Sequence, residues 1–298
     1  ALAAGCAFVV RPPTLTPLSA LALGVLATRA GLPDGIFSVL PSSDSSGIGK
    51  EAAKQLAARG ARLCLVARRE QELERVQDDI HRKGGQAWIY PTDLTNADSI
   101  TTSLDAILHE HPRVDALVNN AAHSIRRPIL EALDRIHDYE RTMQLNYIGA
   151  VRMTMGLIPR FLEQGRGQVV NASTLSAQVP IPLFSAYLAS KAALDSYSRS
   201  LNAELGHKGI QATMVYFPMV RTPMSNRTEI YKHMRMMSVE DAAGWIIKAL
   251  RDRPARVGKP LGTLGSLVLA AAPGPAVRLT QPFFRRMDKN LKAKLKKK

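Results

Sequence analysis

From Gly35 onward, apolar runs of strand length alternate with longer segments in which apolar residues recur at helical spacing. A strand that rejoins a sheet in parallel needs a crossover, usually a helix. The alternation therefore predicts an α/β fold, a doubly wound parallel sheet of the Rossmann type, as a single domain with extensions. The predicted strands are 36–40, 63–66, 87–90, 116–118, 168–171 and 213–217, and the predicted helices are 50–59, 70–82, 97–110, 138–162, 185–206 and 242–251.

Two local signals support these boundaries. Gly60 follows the first predicted helix, at the position where a left-handed C-terminal cap favours glycine. Ser238 stands three residues before Asp241, which predicts a capping box opening the last helix.

By composition the chain has three parts: an apolar leader without assignment at 1–34, the alternating domain at 35–260, and an apolar segment with a basic tail at 261–298. Of the formal net charge of +15, the last fourteen residues hold eight basic side chains and one acidic residue, Asp288. Such a tail fits peripheral contact with an anionic membrane, or is simply solvated. Aromatic residues do not interleave with these charges beyond Phe283 and Phe284, so nucleic acid is not a predicted partner.

The two cysteines, Cys6 and Cys64, lie far apart and form no Cys-x-x-Cys motif. This predicts neither a disulfide framework nor a cysteine zinc site, and it favours the reducing cytoplasm, with membrane association as an alternative. No stretch reaches the roughly 18–20 apolar residues of a membrane-spanning helix. Residues 109–111 (His-Glu-His) are adjacent and cannot all face one ion, so we predict a surface loop there and no metal site.

A segment rich in serine and glycine follows the first predicted strand and opens the first predicted helix. Backbone N–H groups and the helix dipole can hold a pyrophosphate at such a turn, and glycine permits close approach of the backbone. The same composition is also common in turns that bind nothing. The candidate cofactor residues here are Ser42, Ser45, Gly47, Ile48 and Gly49.

Tyr187 and Lys191 are four residues apart and therefore share one helix face. A phenol with its ordinary pKa of about 10 is a poor proton donor near neutrality. An ammonium group one turn away lowers that pKa, so the pair can act as a general acid and base. Alone, the spacing also fits an ordinary exposed helix face. Two further residues favour catalysis: Thr174 lies just past a predicted strand, and Asn146 lies mid-helix, where it needs a buried polar partner.

With these residues in this order, the sequence resembles the short-chain dehydrogenase/reductase superfamily over about residues 36–257. The resemblance implies that Tyr187 exchanges a proton with a carbonyl or an alcohol, while Lys191 lowers the tyrosine pKa and holds the cofactor ribose. It also implies that Thr174 orients the carbonyl oxygen and that Asn146 holds a water linked to Lys191. The implied cofactor-binding residues are Ser42, Ser45, Gly47, Ile48, Gly49, Arg68, Asp93, Asn120, Ala121, Tyr187, Lys191, Pro218, Val220 and Thr222. Because members often pair through their long helices, a homo-oligomer is implied too.

The end of the second predicted strand bears on cofactor choice. NAD enzymes usually offer a carboxylate there to the ribose 2′-hydroxyl. This chain has Arg68 and Arg69, and no acid before Glu70. A guanidinium group suits a 2′-phosphate, which favours NADP(H) and makes residues 35–260 an NADP-binding domain. The alternative is that both arginines simply start a surface helix.

A closer resemblance, to bacterial long-chain fatty acyl-CoA reductases, narrows the substrate. In those enzymes a domain of this superfamily reduces acyl-CoA to a fatty aldehyde with NADPH. A lipophilic acyl-CoA is thus the implied substrate, and Arg126 and Arg127 could meet its phosphates or form a solvated pair. The alternatives are a reductase of another lipophilic carbonyl or alcohol, such as a 3-oxoacyl or steroid-like compound, and a non-catalytic protein with the same fold. The similar segments are 119–127, 139–150, 184–195 and 220–224.

The superfamily pattern is broken in several places. Ser43 replaces a glycine of the cofactor turn, where a Cβ at positive φ costs roughly 1–2 kcal/mol, and Asp44 brings a carboxylate near the pyrophosphate. Ala122 and Met219 replace two further glycines, and Thr174 replaces a serine but keeps the hydroxyl. The turn adjoins the atypical leader, so we hypothesise that one event altered the whole N-terminal stretch and weakened cofactor binding.

Overall fold

The computed structural model describes residues 37–41, 47–179, 181–222, 225 and 236–295, and within them seven strands form one sheet. The strand order is β3-β2-β1-β4-β5-β6-β7, and every neighbouring pair is parallel. The predicted doubly wound α/β fold is therefore confirmed. The strands are β1 (Phe37–Pro41), β2 (Arg62–Ala67), β3 (Gln86–Pro91), β4 (Ala116–Asn119), β5 (Gly167–Thr174), β6 (Ile210–Phe217) and β7 (Arg256–Val257).

Helices connect successive strands, and two more follow the sheet. The long helix predicted at 138–162 is two α-helices joined by a π-helical turn at Gln144–Gly149. The α-helices are α1 (Gly47–Ala57), α2 (Glu70–His81), α3 (Ala97–Glu110), α4 (Ile136–Met143), α5 (Ala150–Glu163), α6 (Ser185–Leu205), α7 (Val239–Asp252), α8 (Pro260–Ala271) and α9 (Pro273–Leu295).

Both faces of the sheet are buried. In β2, Leu63 and Leu65 pack toward α1, α2 and α7, whereas Cys64 and Val66 pack toward α3, α5 and α6. Successive side chains of a strand point to opposite faces, so a strand covered on both sides is apolar throughout. This is why the strands appear in the sequence as continuous apolar runs.

Both predicted caps are present. The N–H of Ala61 donates to the Leu56 carbonyl and that of Gly60 to the Ala57 carbonyl, with Gly60 at φ +86°, which is the Schellman arrangement. At the start of α7, the side chain of Ser238 accepts a hydrogen bond of 3.0 Å from the backbone N–H of Asp241.

The sequence prediction did not include α8 and α9, and it failed at two further places. It missed β7, because two residues are too few to show strand periodicity. The surface loop predicted at residues 109–111 is wrong, because His109 and Glu110 belong to the last turn of α3. His111 is buried, stacks edge-on against Trp88 and lies 2.7 Å from the Tyr90 hydroxyl oxygen. Burial lowers the pKa of His111, so the neutral ring is favoured.

Several predictions lie outside the described residues: the leader 1–34 and the cofactor-turn residues Ser42, Ser43, Asp44 and Ser45. Two other departures from the superfamily pattern can be assessed. Among the described residues other than glycine, positive φ occurs at Leu183 and Arg253 only, so Ala122 and Met219 replace glycines without left-handed strain.

Helices α8 and α9 follow β7. Among the described residues, no single helix is both long and apolar enough to cross a membrane. The segments Pro260–Ala271 and Pro273–Pro282 meet those conditions only as a pair, and they bend by 115° at the break between them.

Gly149 ends the π-helical turn at a tight contact and provides a stability test. A Cβ there would lie 2.5 Å from the backbone oxygen of Leu94, which a side-chain rotation cannot relieve. We expect Gly149→Ala to lower the free energy of unfolding by about 1–3 kcal/mol, measured by urea denaturation. Gly244→Ala is the matched control, because nothing lies within 4 Å of a Cβ there and alanine is the better helix former. Equal loss in both variants would contradict this packing argument.

Candidate active site

The candidate residues converge at the carboxyl edge of the sheet. Asn119 ends β4, Thr174 ends β5 and Pro218 follows β6, while Tyr187 and Lys191 lie in the first two turns of α6. The carboxyl ends of parallel strands share one edge, and β1 and β4 lead to helices on opposite faces of the sheet. Such a switch point leaves the crevice in which ligands bind to open α/β sheets.

Lys191 is the most deeply buried charged group of the candidate site. Only 2% of it is exposed, and its Nζ donates a hydrogen bond of 2.7 Å to the backbone carbonyl of Ala172 on β5. Burial disfavours the ammonium form and lowers the pKa of Lys191 from 10.5 to about 8. The lysine is therefore poised to exchange a proton close to neutral pH.

Tyr187 differs from the sequence expectation. Burial raises its pKa to about 12, whereas a neighbouring ammonium was expected to lower it. The physical reason is desolvation of the phenolate, which Lys191 does not offset, because its ammonium is itself desolvated and bonded to the Ala172 carbonyl. The protein on its own thus keeps Tyr187 as a neutral phenol, which can donate a proton.

Asn146 occupies the π-helical turn, fully buried, and it has the polar partners that its position required. Its Nδ2 donates to the His123 carbonyl and to the Ser190 hydroxyl, both at 2.9 Å, and its Oδ1 accepts from the His123 N–H at 2.7 Å. Because both side-chain donors are used, the water predicted at Asn146 would have to donate to one of the oxygens of this residue, and it stays a prediction. What the structure does give Asn146 is a positioning role between the segment after β4 and α6.

Sequence reasoning missed a buried chain of hydrogen bonds behind the site. The Nδ2 of Asn119 donates to the Oδ1 of Asn171 at 2.8 Å, and the Nδ2 of Asn171 donates to the hydroxyl of Ser198 on α6 at 2.8 Å. These bonds fix β4, β5 and α6 to one another. The signal in the sequence was Asn171, a polar residue ending an apolar run, which had to find a partner.

Thr174 caps the short 3₁₀ turn that follows β5. Its Oγ1 accepts a hydrogen bond of 3.2 Å from the Ser176 N–H. Accepting this bond uses an oxygen lone pair and leaves the hydroxyl proton available for a substrate oxygen.

The residues predicted to hold a nicotinamide dinucleotide lie along the same edge. Helix α1 begins at Gly47 and has no acidic residue in its first turn, so its positive end suits a phosphate. Arg68 is exposed at the end of β2, and Asp93 follows β3, where its Oδ1 accepts hydrogen bonds from the Thr95 N–H and hydroxyl.

The remaining predicted cofactor residues follow β4 and β6. Asn120, Val220 and Thr222 are buried, whereas Ala121 and Pro218 are partly exposed. Ile48 and Gly49 are buried in α1. The described residues thus fit a dinucleotide that extends along the carboxyl edge of the sheet. Among them, no three His, Cys, Asp or Glu side chains come together as metal ligands would.

A cationic cluster flanks this edge beside α4. The carboxylate of Asp138, whose side chain is 3% exposed, binds Arg127 and Arg135 at 3.1 Å and Arg141 at 2.7 Å. Burial alone would raise the pKa of Asp138, but its hydrogen bond to Arg135 and the surrounding cations hold the pKa below its ordinary value. The three guanidinium groups outnumber the one carboxylate that they bind, while the surrounding segment 126–141 also carries three exposed acidic residues, Glu131, Asp134 and Glu140.

Arg127 also joins two loops of the site. Its backbone N–H donates a hydrogen bond of 2.7 Å to the carbonyl of Leu183, four residues before Tyr187. Leu183 has φ +75°, a left-handed conformation that is costly for a leucine and has to be held by its surroundings.

Comparison with known proteins gives two family matches. A model described as short chain dehydrogenase matches residues 39–232, and one described as the aldehyde dehydrogenase family matches residues 1–60. The first covers most of the described sheet. The second lies largely outside the described residues.

Among curated relatives, a fatty acyl-CoA reductase of Acinetobacter baylyi is 47% identical over 229 residues, covering 77% of this chain and 78% of that protein. A fatty acyl-CoA reductase of Mycobacterium tuberculosis is 41% identical over 220 residues, covering 74% and 75%. Among solved structures, actinorhodin polyketide ketoreductase with NADPH has a TM-score of 0.70 at 23% identity and covers 78% of this chain and 98% of its own. That structural likeness shows the fold.

The lowered pKa of Lys191 makes stability depend on pH. Between pH 8 and 10.5 the folded chain binds fewer protons than the unfolded chain, so this lysine makes stability rise with pH across that window. Relative to Lys191→Met, the wild type should gain about 3 kcal/mol between about pH 7 and pH 11, measured by urea unfolding. Lys248→Met removes a solvated lysine from α7 and controls for loss of charge as such. A difference that stays constant with pH would show that Lys191 keeps its ordinary pKa.

Proposed function

This chain belongs to the short-chain dehydrogenase family and is an oxidoreductase, and on that premise we propose that it reduces a long-chain fatty acyl-CoA to the fatty aldehyde with NADPH. The observation that carries the chemistry is a Tyr187 phenol one helical turn from the buried Lys191, whose Nζ bonds to β5, the strand that ends at Thr174. The substrate class is supported by the two fatty acyl-CoA reductases among the relatives. The cytoplasm is the proposed location.

The protein's part in the reaction is to move one proton to and from the carbonyl oxygen. A bound nicotinamide supplies a hydride to the thioester carbon. Thr174 donates a hydrogen bond to the carbonyl oxygen, and Tyr187 gives that oxygen its phenolic proton as negative charge develops there. Lys191 sits one helical turn from Tyr187, and the phenolate that forms is stabilised by its ammonium.

Release of the aldehyde returns that proton. Tyr187 takes it back from the hydroxyl of the tetrahedral adduct as the carbon–sulfur bond breaks, and the departing thiolate is protonated. In sum, acyl-CoA, NADPH and a proton give aldehyde, free CoA and NADP⁺. A lysine pKa of about 8 suits this exchange, because Lys191 can resupply the tyrosine near neutral pH.

The cationic cluster around Asp138 supports an acyl-CoA rather than a neutral carbonyl compound. CoA carries several phosphate charges, and guanidinium groups bind phosphate through paired hydrogen bonds. Arg141 is 60% exposed, and Arg127 and Arg135 are about one-third exposed, so all three can reach a ligand. Nearby, Ile129, Leu130, Leu133 and Ile136 are exposed apolar residues that suit an acyl chain.

The proposed preference for NADPH rests on Arg68. It is exposed at the end of β2, and its charge contributes to the lowered pKa of Asp93, which follows the neighbouring strand. A guanidinium group at the end of the second strand supports recognition of a 2′-phosphate on the adenosine ribose.

We also propose that the chain works as a homo-oligomer. Met155 and Leu162 of α5 are exposed apolar side chains on a long helix, and burial against a second copy would remove them from water.

The decisive assay follows NADPH oxidation with palmitoyl-CoA and with a long-chain aldehyde as separate substrates. We expect turnover of the thioester, and a loss of at least ~100-fold in kcat for Tyr187→Phe, because the general acid is removed without change of shape. Turnover of the aldehyde alone would indicate a reductase of another lipophilic carbonyl. No turnover and no NADPH binding would indicate a non-catalytic protein that retains the fold.

Cofactor preference is tested at Arg68. Loss of a charge-assisted hydrogen bond to the 2′-phosphate should lower kcat/KM for NADPH by roughly 10- to 100-fold in Arg68→Gln and leave NADH nearly unaffected. Arg75→Gln is the matched control, because Arg75 is an exposed residue of α2 paired with Glu72. Equal losses with both cofactors would contradict a role in phosphate recognition.

A further inference from the structure

Helix α8 has its small residues toward the protein and its large apolar residues toward the outside. A Cβ on Gly265 would lie 2.7 Å from the side chain of Val179, so the backbone of α8 packs directly against the protein on this side. On the other side Leu261, Leu264 and Leu267 are 74%, 58% and 62% exposed. Together with Val268 they recur every three or four residues and form one stripe, here called the outer face of α8. This is the reverse of an ordinary surface helix, whose leucines face the core.

The apolar surface continues beyond the break into α9. Val277 and Leu279 are exposed in its first turns, Leu279 by 80%. An exposed apolar surface of this kind on a folded protein usually marks a contact with a partner or a membrane.

The charged residues of the segment around this apolar surface are all basic. From Arg253 to Met287 the chain contains six basic residues and no acidic residue. Arg278 and Arg285 are exposed on α9. An apolar stripe beside basic side chains is typical of helices that lie on anionic lipid.

The same charge disfavours a second copy of this chain as the occupant. In a two-fold symmetric dimer the same patch faces itself, so this segment would offer Arg278 and Arg285 no acidic partner. An anionic surface has no such cost.

The geometry fits a helix that lies in the membrane surface. At 1.5 Å per residue, the twelve residues of α8 span about 18 Å, short of the roughly 30 Å of a hydrocarbon core. The 115° bend before α9 likewise prevents the pair from continuing as one straight span.

We propose that the outer face of α8 and the start of α9 dock this protein on the surface of an anionic lipid bilayer. The helix pair lies in the plane of the headgroups, with the leucines below them and the arginines at the level of the phosphates. Through its glycine face α8 rests on the 3₁₀ turn Leu175–Gln178, which directly follows Thr174. Docking therefore places the candidate active site next to the membrane, where a lipophilic substrate is concentrated. The docking itself does not depend on the proposed reaction.

The test is co-sedimentation of the full chain with vesicles of phosphatidylcholine, with and without one quarter phosphatidylglycerol. We expect the wild type to partition at least ~10-fold more strongly onto the anionic vesicles, and 0.5 M NaCl to reduce that binding. The double variant Leu264→Ser/Leu267→Ser should lose at least ~10-fold in partitioning, because it removes two side chains from the apolar surface.

The matched control is Leu130→Ser/Leu133→Ser, which removes two leucines beside α4 that are more exposed than Leu264 and Leu267. It should bind vesicles as the wild type does, and unchanged thermal unfolding would show that both variants fold. Undiminished binding of the α8 variant, or equal binding to neutral and anionic vesicles, would overturn the proposal. So would light scattering that shows a dimer lost in the α8 variant, since a second copy would then be the occupant. NADPH oxidation, measured separately, distinguishes failure of docking from failure of the proposed function.

Discussion

Asn146 makes three buried hydrogen bonds, and the positions of the two segments that carry the candidate site depend on them. Two of the bonds hold the backbone of His123, and the third holds Ser190 of α6, next to Lys191. The π-helical turn places the amide at this junction, and the close approach of Gly149 to the Leu94 carbonyl leaves that turn little room to move. Behind it, the chain of bonds from Asn119 through Asn171 to Ser198 fixes the strands to α6. The interactions that pack these elements together are therefore also the ones that position the candidate site.

The pKa values of the site residues follow from their burial in this fixed arrangement. A lysine held fully inside the protein loses the solvation of its charge, and a phenol beside it loses the solvation of its phenolate. The two shifts move the pKa values of Lys191 and Tyr187 apart, to about 8 and about 12. Both changes favour the neutral forms, the phenol and the amine. The cations around Asp138, by contrast, stay partly exposed and keep their charge available to an anionic ligand.

The sequence was sufficient to predict the elements that depend on local periodicity. The six longer strands, the helices between them and both caps were predicted, because strand-length apolar runs and capping residues leave direct marks. Features set by tertiary contact were missed or only partly seen. The π-helical turn breaks a helix whose apolar spacing runs on without interruption, and β7 pairs over two residues only. His111 is buried through contacts with Trp88 and Tyr90 on a neighbouring strand, which its own surroundings in sequence do not indicate. The tyrosine pKa was expected to fall because a charge was visible in the sequence, whereas its burial was not. The roles of the individual site residues stay predictions.

Strand β1 joins the sheet through backbone hydrogen bonds, which place few demands on its side chains. Residues 39–60 match both family models, yet Phe37–Pro41 pairs in parallel with β2 over five residues and with β4 through Ser38 and Val39. Those pairings are made by backbone groups, which every sequence supplies. Changes confined to the turn after β1 can therefore leave the pairing of the sheet intact while they alter the residues predicted to bind the cofactor. Fold and cofactor affinity can then change independently. The backbone atoms of this segment pair in the sheet, whereas the residues of the turn are the ones predicted to meet the cofactor.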